Sequence, residues 1–162
     1  MFVGRTRELG VLQAEFDHPR PSLTILYGRR RVGKSTLLRE AVKQRPHVFY
    51  QATRVADTDA QTLFRDEIGR ALGSDPILEG LSGWESLFAY LYRAAATKVG
   101  EKGEGLVVVI DEFPYLCEDN RALPSILQKV WDELRRGDVP FKLVLCGSHV
   151  AFMEDLLAEK NP

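Results

Sequence analysis

The sequence predicts an α/β fold built on a mostly parallel sheet, and three observations predict it. Short apolar runs recur at residues 23–27, 47–51, 106–110 and 141–146. Between them lie stretches with apolar residues three and four apart, the period of an amphipathic helix. The two patterns alternate, as a parallel sheet requires, because each strand must be carried back to the same edge by a crossover. At 162 residues, 44% apolar and 28% charged, the chain suits one soluble globular domain with a substantial core.

Charge and composition exclude several classes of function. With 22 basic and 23 acidic residues the net charge is −1, so there is no global electrostatic case for nucleic acid or an anionic membrane as partner. No apolar run approaches the roughly 20 residues of a membrane-spanning helix. The start lacks the basic-then-apolar profile of a signal peptide. Cys117 and Cys146 have no metal-ligand spacing and read as reduced thiols of a cytoplasmic protein.

In chain order, residues 1–22 carry Leu9, Leu12 and Phe16 on one helical face, ending near His18-Pro19. That segment could lie over a nucleotide base or simply cover a sheet edge. Leu23–Tyr27 then reads as a buried parallel strand. It delivers the chain to Gly28-Arg29-Arg30-Arg31-Val32-Gly33-Lys34-Ser35, which fits the phosphate-binding pattern G-x-x-x-x-G-K-[ST] at every fixed position. The glycines let backbone N–H groups curl round an anion, and the helix of Thr36, Leu37, Leu38, Ala41 and Val42 presents its unsatisfied first amides to it. In such a loop the lysine, here Lys34, reaches the β and γ phosphates, and the hydroxyl, here Ser35, holds magnesium. The arginine triplet reads as a solvated turn, or as a contact to a neighbouring domain or nucleic acid.

Arg45-Pro46 stops that helix and His47–Gln51 is a second strand. Thr58-Asp59-Ala60-Gln61 is a capping-box match opening a helix with Phe64, Ile68, Ala71 and Leu72 on one face, closed by Gly73. Ser82-Gly83-Trp84-Glu85 is a second match, and Trp84, Leu87, Phe88, Leu91 and Ala95 follow as a core-packing stripe.

After a polar glycine loop comes Leu106-Val107-Val108-Val109-Ile110-Asp111-Glu112. A continuous β-branched run means a central strand buried on both faces. It leaves two carboxylates at the carboxyl edge, where open α/β sheets bind ligands. Asp111 can hold magnesium, directly or through water, and Glu112 can orient and deprotonate an attacking water. Phe113-Pro114-Tyr115 ends the strand. Leu123, Ile126, Leu127, Val130 and Leu134 mark another helix, closing at Gly137, and Phe141–Cys146 a last strand. That strand stops at Gly147-Ser148-His149, again at the carboxyl edge. Ser148 can sense a γ phosphate or the catalytic water, cap the helix carrying Phe152, Leu156 and Leu157, or do both. His149 reads as structural, because Glu112 already serves as base.

These residues together resemble an AAA+ or STAND-like ATPase of the P-loop class, of the archaeal and bacterial group often fused to a nuclease-like C-terminal domain. The resemblance rests on Phe2-Val3-Gly4-Arg5 with Glu8-Leu9, the phosphate loop (Walker A), Ile110–Leu116 (Walker B), Gln128 with Trp131-Asp132, and Cys146-Gly147-Ser148 with Met153-Glu154. It spans essentially the whole chain. It implies a three-layer α/β/α P-loop NTPase core, strand order 5-1-4-3-2, Phe2, Val3 and Gly4 near the adenine, and Ser148 as the first sensor. Gly28 through Thr36 would hold the phosphates, and Gln51 would gate Glu112. It also implies that residues 1–162 stop before the family's fifth strand, helical lid, second sensor and any further domain.

The expected activity is binding of ATP with Mg2+ and hydrolysis to ADP and phosphate, slow without the lid and an in-trans arginine, with a homo-oligomer possible in the full-length protein. A nucleotide-gated switch with little turnover is the second reading. A small-molecule kinase is the third, and Asp111-Glu112 argues against it, because water activation is what a kinase avoids. ATP is favoured over GTP by the resemblance and by the lack of an Asn-Lys-x-Asp motif.

Overall fold

A computed structural model of the chain describes residues 6–28, 33–97 and 105–160. Two strands form its centre. β3 (Leu106–Asp111) is the β-branched run, and β4 (Phe141–Gly147) lies parallel beside it, Val108 opposite Leu143. Every residue of both is buried, so both read as continuous apolar runs rather than alternating ones. β2 (His47–Gln51) pairs with the other side of β3, and β1 (Ser22–Tyr27) with the other side of β4, giving the parallel order β1-β4-β3-β2. This is the order the family resemblance implies for its first four strands. β1 departs from expectation in burial: it is half-buried, and Tyr27 is 36% exposed. Among the described residues β1 has a strand on one side only, so half of its surface lacks the cover that β3 and β4 enjoy.

Side chains alternate across a strand, so β3 sends Val107 and Val109 to one face and Val108 and Ile110 to the other. The first face is covered by α1 (Thr6–Asp17) and α2 (Lys34–Val42), through Leu12, Phe16, Leu38 and Val42. The second is covered by α3 (Asp57–Leu72), the short α4 (Pro76–Glu79) and α5 (Trp84–Thr97), then by α6 (Phe113–Asp119), α7 (Leu123–Leu134) and α8 (Val150–Lys160). Helices on both faces make three layers. The stripe on α5 packs as its spacing implies: Phe64 of α3 sits 5.5–5.6 Å, ring to ring, from Tyr50, Trp84 and Phe88. Removing such a ring costs about 3–5 kcal/mol in transfer and cavity energy.

Neither capping box forms. α3 begins two residues early, at Asp57, with Ala56 rather than Thr58 at its cap position, and the Asp57 N–H donates 2.7 Å to the Asp119 carboxylate of α6. A side chain from another element thus supplies the cap that Thr58 was expected to give. Gln61 accepts the Gly83 N–H at 2.8 Å, so one glutamine ties together the starts of α3 and α5. Ala71, expected on the buried face, is exposed, while Ala60 is buried in its stead. Gly73 does end α3, its N–H bonded to the Gly69 carbonyl. Leu157 lies outside the residues whose side chains are described.

Candidate functional site

β1 delivers the chain to Gly28, and α2 restarts it after Gly33, whose φ of 81° and ψ of 22° lie in the left-handed region that glycine enters without strain. Gly33 occupies the cap position of α2 with no side-chain cap, so the first amides of the helix are left for another acceptor. Lys34, the first helical residue, is 7% exposed, and its Nζ donates to the Gly28 carbonyl at 2.8 Å. The ammonium therefore spans the two ends of the loop. Ser35 and Thr36 follow on the first turn, Ser35 half-buried and Thr36 exposed. Arg29, Arg30, Arg31 and Val32 lie outside the described residues, as do Phe2, Val3 and Gly4.

Asp111 ends β3, and its carboxylate is 1% exposed. Its Oδ2 accepts the Ser35 hydroxyl at 2.5 Å, and its Oδ1 accepts the Glu112 N–H at 2.9 Å. A residue 76 positions earlier in the chain is thus in direct contact with the acidic strand. Both oxygens are hard donors suited to magnesium, which is commonly held by one or two protein groups plus substrate phosphates, so the pair fits that ion. Behind Asp111, the thiol of buried Cys146 is pushed above its ordinary pKa, first by burial and then by the Asp111 carboxylate. It stays protonated and unreactive. Burial alone likewise lifts the Cys117 thiol, to about 12.

Glu112 has φ 55° and ψ 42°, the single left-handed non-glycine among the described residues. Holding a side-chain-bearing residue there costs on the order of 1–3 kcal/mol and is tolerated where neighbours enforce it. The enforcement is visible. The Glu112 N–H is bound to Asp111 Oδ1, and its carbonyl accepts the Tyr115 N–H at 3.0 Å as α6 begins. Phe113-Pro114-Tyr115 ends the strand, as the sequence implies, and also opens this helix, which was not expected.

The Ser148 Oγ donates to Glu112 Oε1 at 3.0 Å. β3 and β4 are adjacent, so their ends bring these residues together across 36 positions of sequence. Gly147 makes the approach possible: a Cβ there would come within 2.7 Å of Pro114 Cδ and 2.9 Å of Met153 Sδ. Ser148 does not cap α8. His149 does, its Nδ1 accepting the Phe152 N–H at 3.1 Å, which agrees with a structural histidine. Gln51 lies opposite Asp111 in register and is exposed, and the hydrogen bond to the Glu112 carboxylate comes from Ser148 instead.

Sequence reasoning missed a brace on α6. The Arg54 guanidinium stacks 4.5 Å from the Tyr115 ring and pairs with Glu118 at 3.1 Å. The Asp57 Oδ1 accepts from Trp84 Nε1 and Asn120 Nδ2, fixing the other end of α6. No local pattern marks either group, since each partner is remote in sequence.

Comparison with known proteins places this geometry. Residues 2–162 match the family described as an ATPase domain predominantly from Archaea. The chain belongs to this family. Two relatives from Methanocaldococcus jannaschii are an uncharacterized protein, 29% identical over 100% of this chain and 33% of its own length, and an uncharacterized ATP-binding protein, 42% identical over 28% of this chain and 76% of its own. A Walker-type ATPase of Pyrococcus abyssi shares the fold with a TM-score of 0.73 at 24% identity, covering 99% of this chain and 49% of that one. Cdc6p from Pyrobaculum aerophilum does so at 0.61 and 20%, covering 99% and 43%. The chain thus spans a third of the first relative and about half of the Pyrococcus ATPase. Its fold is that of the P-loop ATPases, and its family is one of ATPase domains.

Proposed function

We propose that this chain binds ATP with Mg2+ and hydrolyses it slowly to ADP and phosphate, as the nucleotide-binding core of a longer AAA+/STAND-like protein. The observation that carries the reading is the 2.5 Å contact between Ser35 of the phosphate loop and Asp111 of the acidic strand. It joins the two motifs at one point, with Lys34 on one side and Glu112 on the other.

In this reading the first amides of α2 and the loop from Gly28 to Thr36 cradle the phosphates, and Lys34 neutralises their charge. Ser35 and Asp111 would hold the magnesium ion, which would supply positive charge to offset that developing on the phosphates. Glu112 orients water and takes its proton as the new oxygen–phosphorus bond forms; the bond from the γ phosphorus to the bridging oxygen breaks and ADP leaves. Ser148 donates to the γ phosphate or the water. An arginine supplied in trans is worth about 10³ to 10⁵ in turnover for such enzymes, and assembly into a homo-oligomer would provide one. Two unpaired cysteines and the absence, among the described helices, of one long and apolar enough to cross a membrane favour a cytoplasmic setting. A net charge of −1 offers no support for a nucleic-acid partner.

Calorimetry with ATP, with and without Mg2+, joined to phosphate release from wild type and Glu112→Gln, tests the proposal. The variant is expected to bind ATP as wild type does and to release no phosphate. Normal release from it would remove Glu112 from its role, and no heat with any nucleotide would overturn the reading. A nucleotide-gated switch is the second reading, favoured by the engagement of Glu112 with Ser148; nucleotide binding without turnover in wild type would establish it.

A further inference from the structure

We propose that the Cys146 thiol donates to the Asp111 carboxylate from the buried side of the sheet and so aims that carboxylate at the metal. This rests on the nucleotide-binding reading above and adds a positioning residue to the same site. Side chains alternate along β3, so Asp111 takes the face of Val107 and Val109, the one covered by α1 and α2. On β4 that face carries Val144 and Cys146. Ile110 lies opposite Leu145, and one step along the parallel ladder sets Cys146 beside Asp111. There the thiol is within reach of a side-chain hydrogen bond to the carboxylate. On its other flank Cys146 pairs with Leu26 of β1, the strand that feeds the phosphate loop.

The carboxylate has a use for this donor. It offers about four acceptor positions, of which the Ser35 hydroxyl takes one on Oδ2 and the Glu112 N–H one on Oδ1. Asp111 and Cys146 are both shut off from solvent, so bulk water does not reach the side on which the sulfur lies. A thiol buried there keeps its proton and serves as a weak donor. Held from beneath, the carboxylate keeps its remaining acceptor positions turned toward Ser35 and the loop. Outer partners of a metal-holding group commonly contribute about 10- to 100-fold in metal affinity. A thiol, being a weak donor, belongs at or below the lower end of that range.

Two measurements test this, one of them without nucleotide. The S–H stretch absorbs in an infrared window free of other protein bands, and donation to a carboxylate lowers its frequency. In a Cys117→Ser background Cys146 is the one thiol of the chain. Its band is expected to move to higher frequency when Asp111→Asn replaces the carboxylate by a weaker, neutral acceptor. An unmoved band would overturn the contact. The second measurement is calorimetry with the non-hydrolysable triphosphate AMP-PNP, in Mg2+ and in EDTA, on wild type, Cys146→Ser, Cys146→Val and Cys146→Ala. The gain in affinity on adding Mg2+ should shrink about three- to tenfold for Val and Ala, which lack a donor, and stay within about twofold for Ser. Affinity in EDTA should not change. A plain packing role predicts the reverse order, with Val, which fills the space, nearest to wild type. That order, or an equal Mg2+ gain in all four proteins, would overturn the proposal and leave nucleotide binding intact. Failure of wild type to bind AMP-PNP would overturn the nucleotide reading itself, and with it any role for Cys146 toward the metal, whatever the infrared band shows.

Discussion

Lys34 and Lys142 are both buried, at 7% and 1% exposure, and with Asp111 they are the buried charged side chains among the described residues. Each donates to a backbone carbonyl, Lys34 to Gly28 and Lys142 to Arg20. They sit at opposite ends of the sheet, Lys34 just past β1 and Lys142 opposite the first residue of that strand. Yet they stand in different surroundings. Lys142 lies within a regular strand, held by the link between α1 and β1, with the carboxylate of Glu15 in range. Lys34 stands at an uncapped helix start, after a left-handed glycine and next to the serine that touches Asp111. Burying a charge does not by itself make a site. Convergence of amides, a cation and hard oxygen donors on one point does, and among the described residues it is found at the carboxyl edge.

The strongest way to break this contrast is Lys34→Ala. Loss of one preorganised donor at a developing charge typically costs about a hundred- to a thousandfold in turnover. Phosphate release should fall by that order, and AMP-PNP affinity with it, while thermal unfolding in the absence of nucleotide moves by a few degrees at most. A variant that hydrolysed ATP as wild type does would place the chemistry elsewhere.

The contrast also explains what the sequence made legible. The strands, the loop and the acidic pair were readable because each is specified by contiguous residues: a β-branched run, a fixed spacing, a terminal Asp-Glu. What stayed hidden depends on remote partners. Asp57 starts α3 because Asp119 caps it, and Trp84 and Asn120 claim its own carboxylate; a local box at Thr58 could not reveal that. Pro114 marks the end of β3, and nothing in that reading announced α6, although proline is well tolerated in the first turn of a helix, which is where α6 has it. The Ser148–Glu112 bond needs the adjacency of β3 and β4 to be known first. Lys142 is a polar residue in an otherwise apolar strand, and nothing nearby in sequence names Arg20 as its acceptor.

If Lys142 is structural, its replacement should act on stability and spare binding. Lys142→Ala leaves the Arg20 carbonyl without its donor and opens space beside α1, an expected loss of about 2–3 kcal/mol in urea unfolding. Lys142→Met keeps most of the volume and removes the cost of a buried ammonium, so its loss should be smaller. AMP-PNP affinity should stay within about twofold of wild type for both, below the 1.4 kcal/mol that a tenfold change represents. Marked weakening by either would mean that the amino end of the sheet communicates with the loop, and the division between the two lysines would fail.

The smallest effect sharpens the same division. Burial lowers the pKa of Lys142 below the ordinary lysine value, with Glu15 opposing the shift. The folded chain therefore releases this proton at a lower pH than the unfolded chain does. Between the two pKa values the unfolded state binds more protons, so stability from this group rises with pH across that window. It is fully present above the unfolded value and is lost as pH falls through the folded one. Urea midpoints taken from neutral pH up to the ordinary lysine range should show the upward slope in wild type relative to Lys142→Met, in which that contribution is gone. Equal slopes in the two proteins would show that Lys142 keeps its proton when folded, held by the Arg20 carbonyl and Glu15 strongly enough to offset its burial.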